Sequence, residues 1–438
     1  MSIKILEYLG LIISIHPLVF IFINRKYAAQ KKYESYYISK DFLSIFATNK
    51  ISIILSIISY FYMIRSELFF YGLPLASISY ICFIRDRFKS IARGQGAPGY
   101  FSFLFINTLF FSKLLTLEIL NQSFLGIFVL NISKIIFIIL FFEYGFIFFS
   151  AGLFKILISK KEPIATSLAL LNPMWSNFVL ETKYIQILKN AINWIGPIVQ
   201  IISGIFIISG IKFLQIIGFI GIAVIFISIT PFYKLSWLCP SIASTAILNI
   251  TLISRFEFIN PFLIIILVSL RGLVLIRLFL EFFKDKKTSI LFENLLNKIY
   301  RKYLGVIIWR VLTFDLVRIV APTNSKLDDF NKTKSNKKFI KICNQTNVYE
   351  SITLTSLIAS KQYLDKGKWK KRFNHYMKIN NRKNIVWIIT DPKKANKNFE
   401  NHNPFINCKI KKIKIDDKLS NNGNEDLNSF LVYNHNNE

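Results

Sequence analysis

The sequence predicts an all-α integral membrane protein, a polytopic helical bundle of about nine spans followed by a basic cytoplasmic C-terminal region. Three observations predict it. The chain of 438 residues is 53% hydrophobic with a mean hydropathy of +0.43, higher than a soluble surface allows. Apolar runs of about 18 residues or more recur, each long enough to cross roughly 30 Å of hydrocarbon. Basic residues also collect in alternate loops, as the cytoplasmic side of a membrane protein requires.

The apolar segments are, in order, 5–24, 43–64, 67–84, 99–120, 123–158, 191–210, 213–232, 236–253 and 257–283. The first has no small-residue cleavage site behind a basic start, so it reads as an uncleaved span. The fifth is too long for one crossing. Lys134 marks its outer interface, so 134–158 spans and 123–132 is interfacial or re-entrant. The eighth, 236–253, carries Pro240 and several small polar residues, which makes it either a span or a re-entrant segment.

Charge tests this order. With the N-terminus outside, the inner loops hold Arg25, Lys26, Lys31, Lys32 and Lys40, then Arg85, Arg87, Lys89 and Arg93, then Lys160, Lys161, Lys183 and Lys189. The outer loops hold Lys4, Arg65, Lys212 and Arg255. The C-terminal region then lies inside, where its many lysines agree. The formal charge of +30 speaks first for orientation and for contact with anionic lipid headgroups. No nucleic-acid-binding module is recognisable, so no nucleic acid is expected as a partner.

Four regions follow: a transmembrane domain over 1–283, an amphipathic juxtamembrane segment over 284–322, a small soluble region over 323–391, and a mostly disordered basic tail over 392–438. The second alternates basic and apolar groups and carries Tyr300, Tyr303 and Trp309, which suit an interface. The third has a helical stretch near 349–361 and a strand-like run over 385–390. The tail is rich in Asn and Lys. Cys82, Cys239, Cys343 and Cys408 are dispersed, so neither a disulfide framework nor a metal site is expected. The sequence assigns no cofactor.

Charged groups inside the spans carry the chemical interest, because each costs at least about 2.5–3.5 kcal/mol at mid-span. In the fifth segment, FFEYGFIFFSAGLFKILI holds Glu143 and Lys155. Ala151 and Gly152 share roughly the face of Lys155, so a neighbouring helix or a ligand can come close to it. A lysine that water does not reach is a candidate base; the alternative is that it extends to the inner headgroups. Glu143 stands about 120° away on the helix and does not face Lys155. Its candidate partner is Lys113, which has Glu118 as a hairpin alternative. Arg271 and Arg277 have Glu257 and Glu281 nearby in sequence. The stretch Arg93–Gly99, RGQGAPG, lacks the G-K-[ST] of a phosphate-binding loop and reads as a turn feeding the fourth segment.

FSAGLFKI resembles the AG-x-x-K-[LI] helix of the horizontally transferred transmembrane (HTTM) superfamily, which includes the vitamin K-dependent gamma-carboxylases. In that motif a glutamine stands eight residues before the alanine; here that position is Glu143. Asn121-Gln122-Ser123-Phe124 resembles the family's N-H-S-Y segment, with Gln122 in place of the histidine. The resemblance implies that Lys155 is a catalytic base and Glu143 its associate. It also implies that Asn121, Gln122, Ala151 and Gly152 line a pocket for a lipid or quinone-like ligand. It does not carry the carboxylation itself: the family's tryptophan soon after the lysine and its later histidine-bearing helix have no counterpart here, where Trp175 comes twenty residues on and His16 is alone. A transporter with its charges along a polar path and a non-catalytic membrane scaffold with a basic lipid- or partner-binding tail are the competing expectations.

Overall fold

The computed structural model describes residues 3–23, 49–89, 96–116, 124–161, 194–234, 237–253, 262–269, 271–272, 318–323, 384–389, 409–413 and 429–434, with shorter pieces at 170, 172, 174–177, 350, 354 and 381. From 3 to 272 these residues are helical, apart from turns and a bridge between Ser176 and Tyr233.

The first predicted span is broken in two: α1 is Ile3–Ser14 and α2 is His16–Ile23. Pro17 is the cause, since it has no amide hydrogen and its ring crowds the carbonyl four residues back. That carbonyl, on Ile13, accepts a hydrogen bond from the Tyr80 hydroxyl, and the neighbouring Ser14 carbonyl accepts one from Ser56 Oγ at 2.7 Å.

The next two helices, α3 (Asn49–Ile64) and α4 (Phe69–Lys89), form a hairpin. Small polar residues join them: Ser52 Oγ donates to the Ser79 carbonyl at 3.0 Å, Ser79 Oγ donates to the Ser52 carbonyl at 2.8 Å, and Ser59 Oγ donates to the Gly72 carbonyl at 2.8 Å. The fifth helix, α5, is Gly96–Leu114, so part of the RGQGAPG stretch is the first helical turn and not loop.

The sixth, α6 (Phe124–Lys161), is one uninterrupted helix of 38 residues, about 57 Å at 1.5 Å per residue. The backbone runs on through Lys134, so residues 124–132 continue the helix and do not re-enter. The stretch before it contains no proline, and one exposed lysine does not stop a helix whose backbone bonds are otherwise complete.

Two further helices, α7 (Gly196–Ile208) and α8 (Lys212–Ile229), are joined by a tight turn in which Gly210 adopts φ of 73°. That left-handed position just past a helix end favours glycine. The last, α9 (Leu238–Ile253), is a regular helix. Pro240 sits in its first turn, where the missing amide hydrogen has no partner to lose. Residues 262–269 and 271–272 are also helical.

Helices adjacent in sequence pack side by side from α3 to α9. The bundle closes because α9 packs on α5, while α1 lies against α3 and α5. Aromatic rings fill the centre, with Tyr80, Phe83, Phe105, Phe137, Tyr144 and Phe219 fully buried. Among the described residues two helices, Phe124–Leu157 within α6 and Lys212–Ile229, are long and apolar enough to cross a membrane; five shorter apolar helices accompany them.

The C-terminal part holds four strands: β1 (Arg318–Thr323), β2 (Asn384–Ile389), β3 (Lys409–Ile413) and β4 (Ser429–Asn434). They form one sheet in the order β1-β2-β4-β3, antiparallel at the first two junctions and parallel at the third. Trp387 of the central β2 is registered with Val320 and Leu431. The outer strands carry Pro322 on one side and Lys409, Lys411 and Lys412 on the other, residue types that suit unpaired edges.

The strand-like run at 385–390 is therefore β2. Two of the expected regions contain short strands. The juxtamembrane segment 284–322 ends in a strand from Arg318, and the tail 392–438 contains β3 and β4. Composition hid them, because frequent Lys and Asn mask short β-branched and aromatic runs that become stable only when paired. The remainder of 284–322 and the helical stretch near 349–361 lie outside the described residues, save for Glu350 and Leu354, which are buried and helical.

Candidate functional site

The site begins with a close approach of two helix backbones. A Cβ added at Gly152 of α6 would lie 2.6 Å from the Pro197 carbonyl oxygen and 2.9 Å from Ile201. Only a residue without a side chain lets the first turn of α7 come so near. Farther along the same interface, a Cβ at Gly204 would lie 2.6 Å from the Phe149 nitrogen, and one at Gly145 would lie 2.8 Å from Ile207. Small residues at matching positions are the usual means of bringing helices together where hydrophobic burial does not discriminate.

This approach sets Gln200 of α7 against Lys155 of α6. Lys155 Nζ donates to Gln200 Oε1 at 2.9 Å. Both side chains are buried, at 8% and 4% exposure. The lysine thus lies inside the bundle. Ala151 is buried beside it in sequence, and Gly152 serves the helix contact. The partner of Lys155 is neutral, and among the described residues the lysine forms no ion pair.

Glu143 is elsewhere. It lies three turns back along α6, about 18 Å at 1.5 Å per residue. There it receives Arg271 Nε at 2.8 Å and a second bond from the same guanidinium. The Arg271 guanidinium also lies 5.7 Å from the ring centre of Phe146.

These pairings correct the expected ones. Lys113 pairs with Glu7 of α1 and sits 4.9 Å from the ring centre of Phe69, so it is not the partner of Glu143; Glu118 lies outside the described residues. Arg271 pairs with Glu143; Arg277, Glu257 and Glu281 lie outside the described residues. In both pairs the partner comes from a helix distant in sequence. Asn121 and Gln122 lie outside the described residues.

Sequence reasoning missed Gln200. Its signal was a single amide in the otherwise apolar run of α7, GPIVQIISGIFII. A second amide of the same kind, Gln215 of α8, donates Nε2 to the Ile207 carbonyl at 3.1 Å, so both glutamines of α7 and α8 face inward.

Chemically, a buried ammonium or amine held by one amide oxygen keeps donors free for an oxygen of a ligand. Among the described residues no cluster of three His, Cys, Asp or Glu side chains is disposed to hold a metal ion. Compared with protein-family models, with characterised proteins and with solved structures, the chain matches none.

Proposed function

We propose that the chain is a multi-pass integral membrane protein of about nine crossings, with its N-terminus outside and its basic C-terminal region in the cytoplasm. The lipid bilayer is its first partner. The outside of the bundle supports this reading. Ile54, Phe61, Phe124, Phe213, Val224 and Phe262 are exposed, whereas Ser52, Ser79, Ser102, Ser203, Ser241 and Thr245 are buried. Such a surface is solvated by lipid and not by water.

Within that bundle, Lys155 with Gln200 forms the centre of a pocket for a lipid or quinone-like ligand, in an HTTM-like protein whose reaction is not that of the carboxylases. The observation that carries this reading is a buried lysine whose hydrogen-bond partner among the described residues is a neutral amide. A buried structural lysine ordinarily takes a carboxylate; even the half-buried Lys113 has one. Lys155 then serves as the ligand's hydrogen-bond donor or as a base toward an acidic hydroxyl. Glu143, held by Arg271, acts only in the architecture.

The test replaces Lys155 by Ala, by Met and by Arg in the full chain. Lipids retained through purification are compared by mass spectrometry, together with the phenotype of deletion. The reading expects all three variants to lose a retained apolar species and fail to complement. Retention and complementation at wild-type level by every variant end it.

A non-catalytic scaffold is the second reading. It is favoured by Lys409, Lys411 and Lys412 on the outer strand β3, a short basic edge suited to anionic lipid headgroups. Replacing the three by Gln would weaken binding of the full chain to anionic vesicles and leave neutral vesicles unaffected.

A further inference from the structure

His16 opens α2 and is buried, at 2% exposure. Four aromatic rings surround it: Phe20, Tyr80, Phe83 and Trp237, with centroid distances of 5.9, 6.1, 5.7 and 4.9 Å. The Trp237 indole is stacked on the imidazole, at an interplanar angle of 10°. Nδ1 and Nε2 of His16 and Nε1 of Trp237 are all buried, and none has a hydrogen-bond partner among the described residues. Leaving one such group unpaired costs about 1–3 kcal/mol. Here three share one small neighbourhood. Chance packing explains that poorly, because buried polar groups nearly always find partners.

The surrounding hydrogen bonds are already made. Tyr80 gives its hydroxyl to Ile13, and Ser241 Oγ donates to the Trp237 carbonyl at 2.8 Å while touching Ser102 Oγ at 2.9 Å. The unsatisfied chemistry therefore belongs to the two stacked rings. A neutral imidazole offers one donor and one acceptor, and the indole offers one donor. A carbonyl or ether accepts only, and would leave the imidazole acceptor bare. An ammonium donates only, and would leave both N–H groups bare. A carboxylate brings a charge into an aromatic cage that has no cation to meet it. The smallest neutral group that both accepts and donates is a hydroxyl.

We propose that His16 and Trp237 together form a binding site for a hydroxyl group, carried either by water or by an apolar alcohol, at the junction of α2, α4 and the start of α9. The site is separate from Lys155 and Gln200 and does not depend on the role given to them. The aromatic surroundings suit the apolar body of an alcohol; the indole N–H and one of the two imidazole nitrogens, which point to opposite edges of their ring, select its head.

The test uses the full chain, with a long-chain alcohol bearing a diazirine, its methyl ether, and the matching hydrocarbon. In the alcohol case, peptides containing His16 or Trp237 are labelled by the alcohol at least about fivefold more than by the ether, since the ether cannot fill the imidazole acceptor. Labelling falls to background in His16→Phe and in Trp237→Phe and is partly kept in His16→Gln, which retains a donor and an acceptor. Thermal unfolding of each variant confirms that it is folded. In the water case, none of the probes labels the site. With imidazole and indole nitrogens enriched in ¹⁵N, the signal lost in His16→Phe, one of four histidines, then shows magnetisation transfer from water. Either result supports a hydroxyl site and names its source. Equal labelling by alcohol, ether and hydrocarbon, or no labelling together with no transfer from water, overturns it.

Discussion

The Tyr80 hydroxyl donates to the carbonyl of Ile13, the carbonyl that in an unbroken helix would receive the amide of residue 17. Residue 17 is a proline, so the break between α1 and α2 is compensated by a side chain from α4. Replacing Tyr80 by Phe leaves that buried carbonyl without a donor and should cost about 1–3 kcal/mol. In a Pro17→Ala background the same change should cost clearly less, because an alanine amide can reach Ile13. A double-mutant cycle by thermal or denaturant unfolding measures the coupling. Equal costs in both backgrounds would show that the tyrosine does not serve the break.

The bond between Glu143 and Arg271 ties α6 to the helical segment around 271. Glu143→Gln leaves a largely buried guanidinium without its counter-charge, with an expected loss of about 3–5 kcal/mol. Exchanging the two residues, as Glu143→Arg with Arg271→Glu, should recover part of it. If the exchange is no better than the single change, the charges are not paired with each other.

Glycine substitutions separate close helix contact from helix preference. Gly204→Ala puts a Cβ 2.6 Å from the Phe149 nitrogen and 2.7 Å from the Gly145 carbonyl oxygen, so α6 and α7 must part, at a cost of about 1–3 kcal/mol. A Cβ at Gly272 meets nothing within 4 Å. Gly272→Ala should be neutral or stabilise by up to about 1 kcal/mol through helix propensity. Unfolding midpoints of the two variants, compared with wild type, decide the matter.

The helices were legible because hydrophobic runs and their breaks are local properties. The runs at 43–64, 67–84, 213–232 and 236–253 correspond to α3, α4, α8 and α9. The interruption at Pro17 was legible in principle, yet uniform hydropathy across 5–24 concealed it. The partners of Lys113, Lys155 and Arg271 were not legible. Each lies on a helix remote in sequence, and nothing in the local pattern of Glu7, Gln200 or Glu143 indicates which helix it will face. Ala151 and Gly152 were read as a face for close approach, and Gly152 does make such an approach, to the first turn of α7. The strands β3 and β4 escaped because a sheet is stabilised across strands, and a five-residue run such as KIKKI says little without its neighbour.

Sidedness in intact membranes tests the central claim most directly. The buried Cys82 and Cys239 are replaced together with Cys343 and Cys408, and single cysteines are introduced at Lys31, Arg65, Lys161 and Lys212 for labelling by an impermeant maleimide. The account predicts that Arg65→Cys and Lys212→Cys react from the outside of sealed cells, while Lys31→Cys and Lys161→Cys react only after the membrane is opened. Recovery of the chain in the detergent-free soluble fraction, or labelling of all four positions from one side, would contradict it.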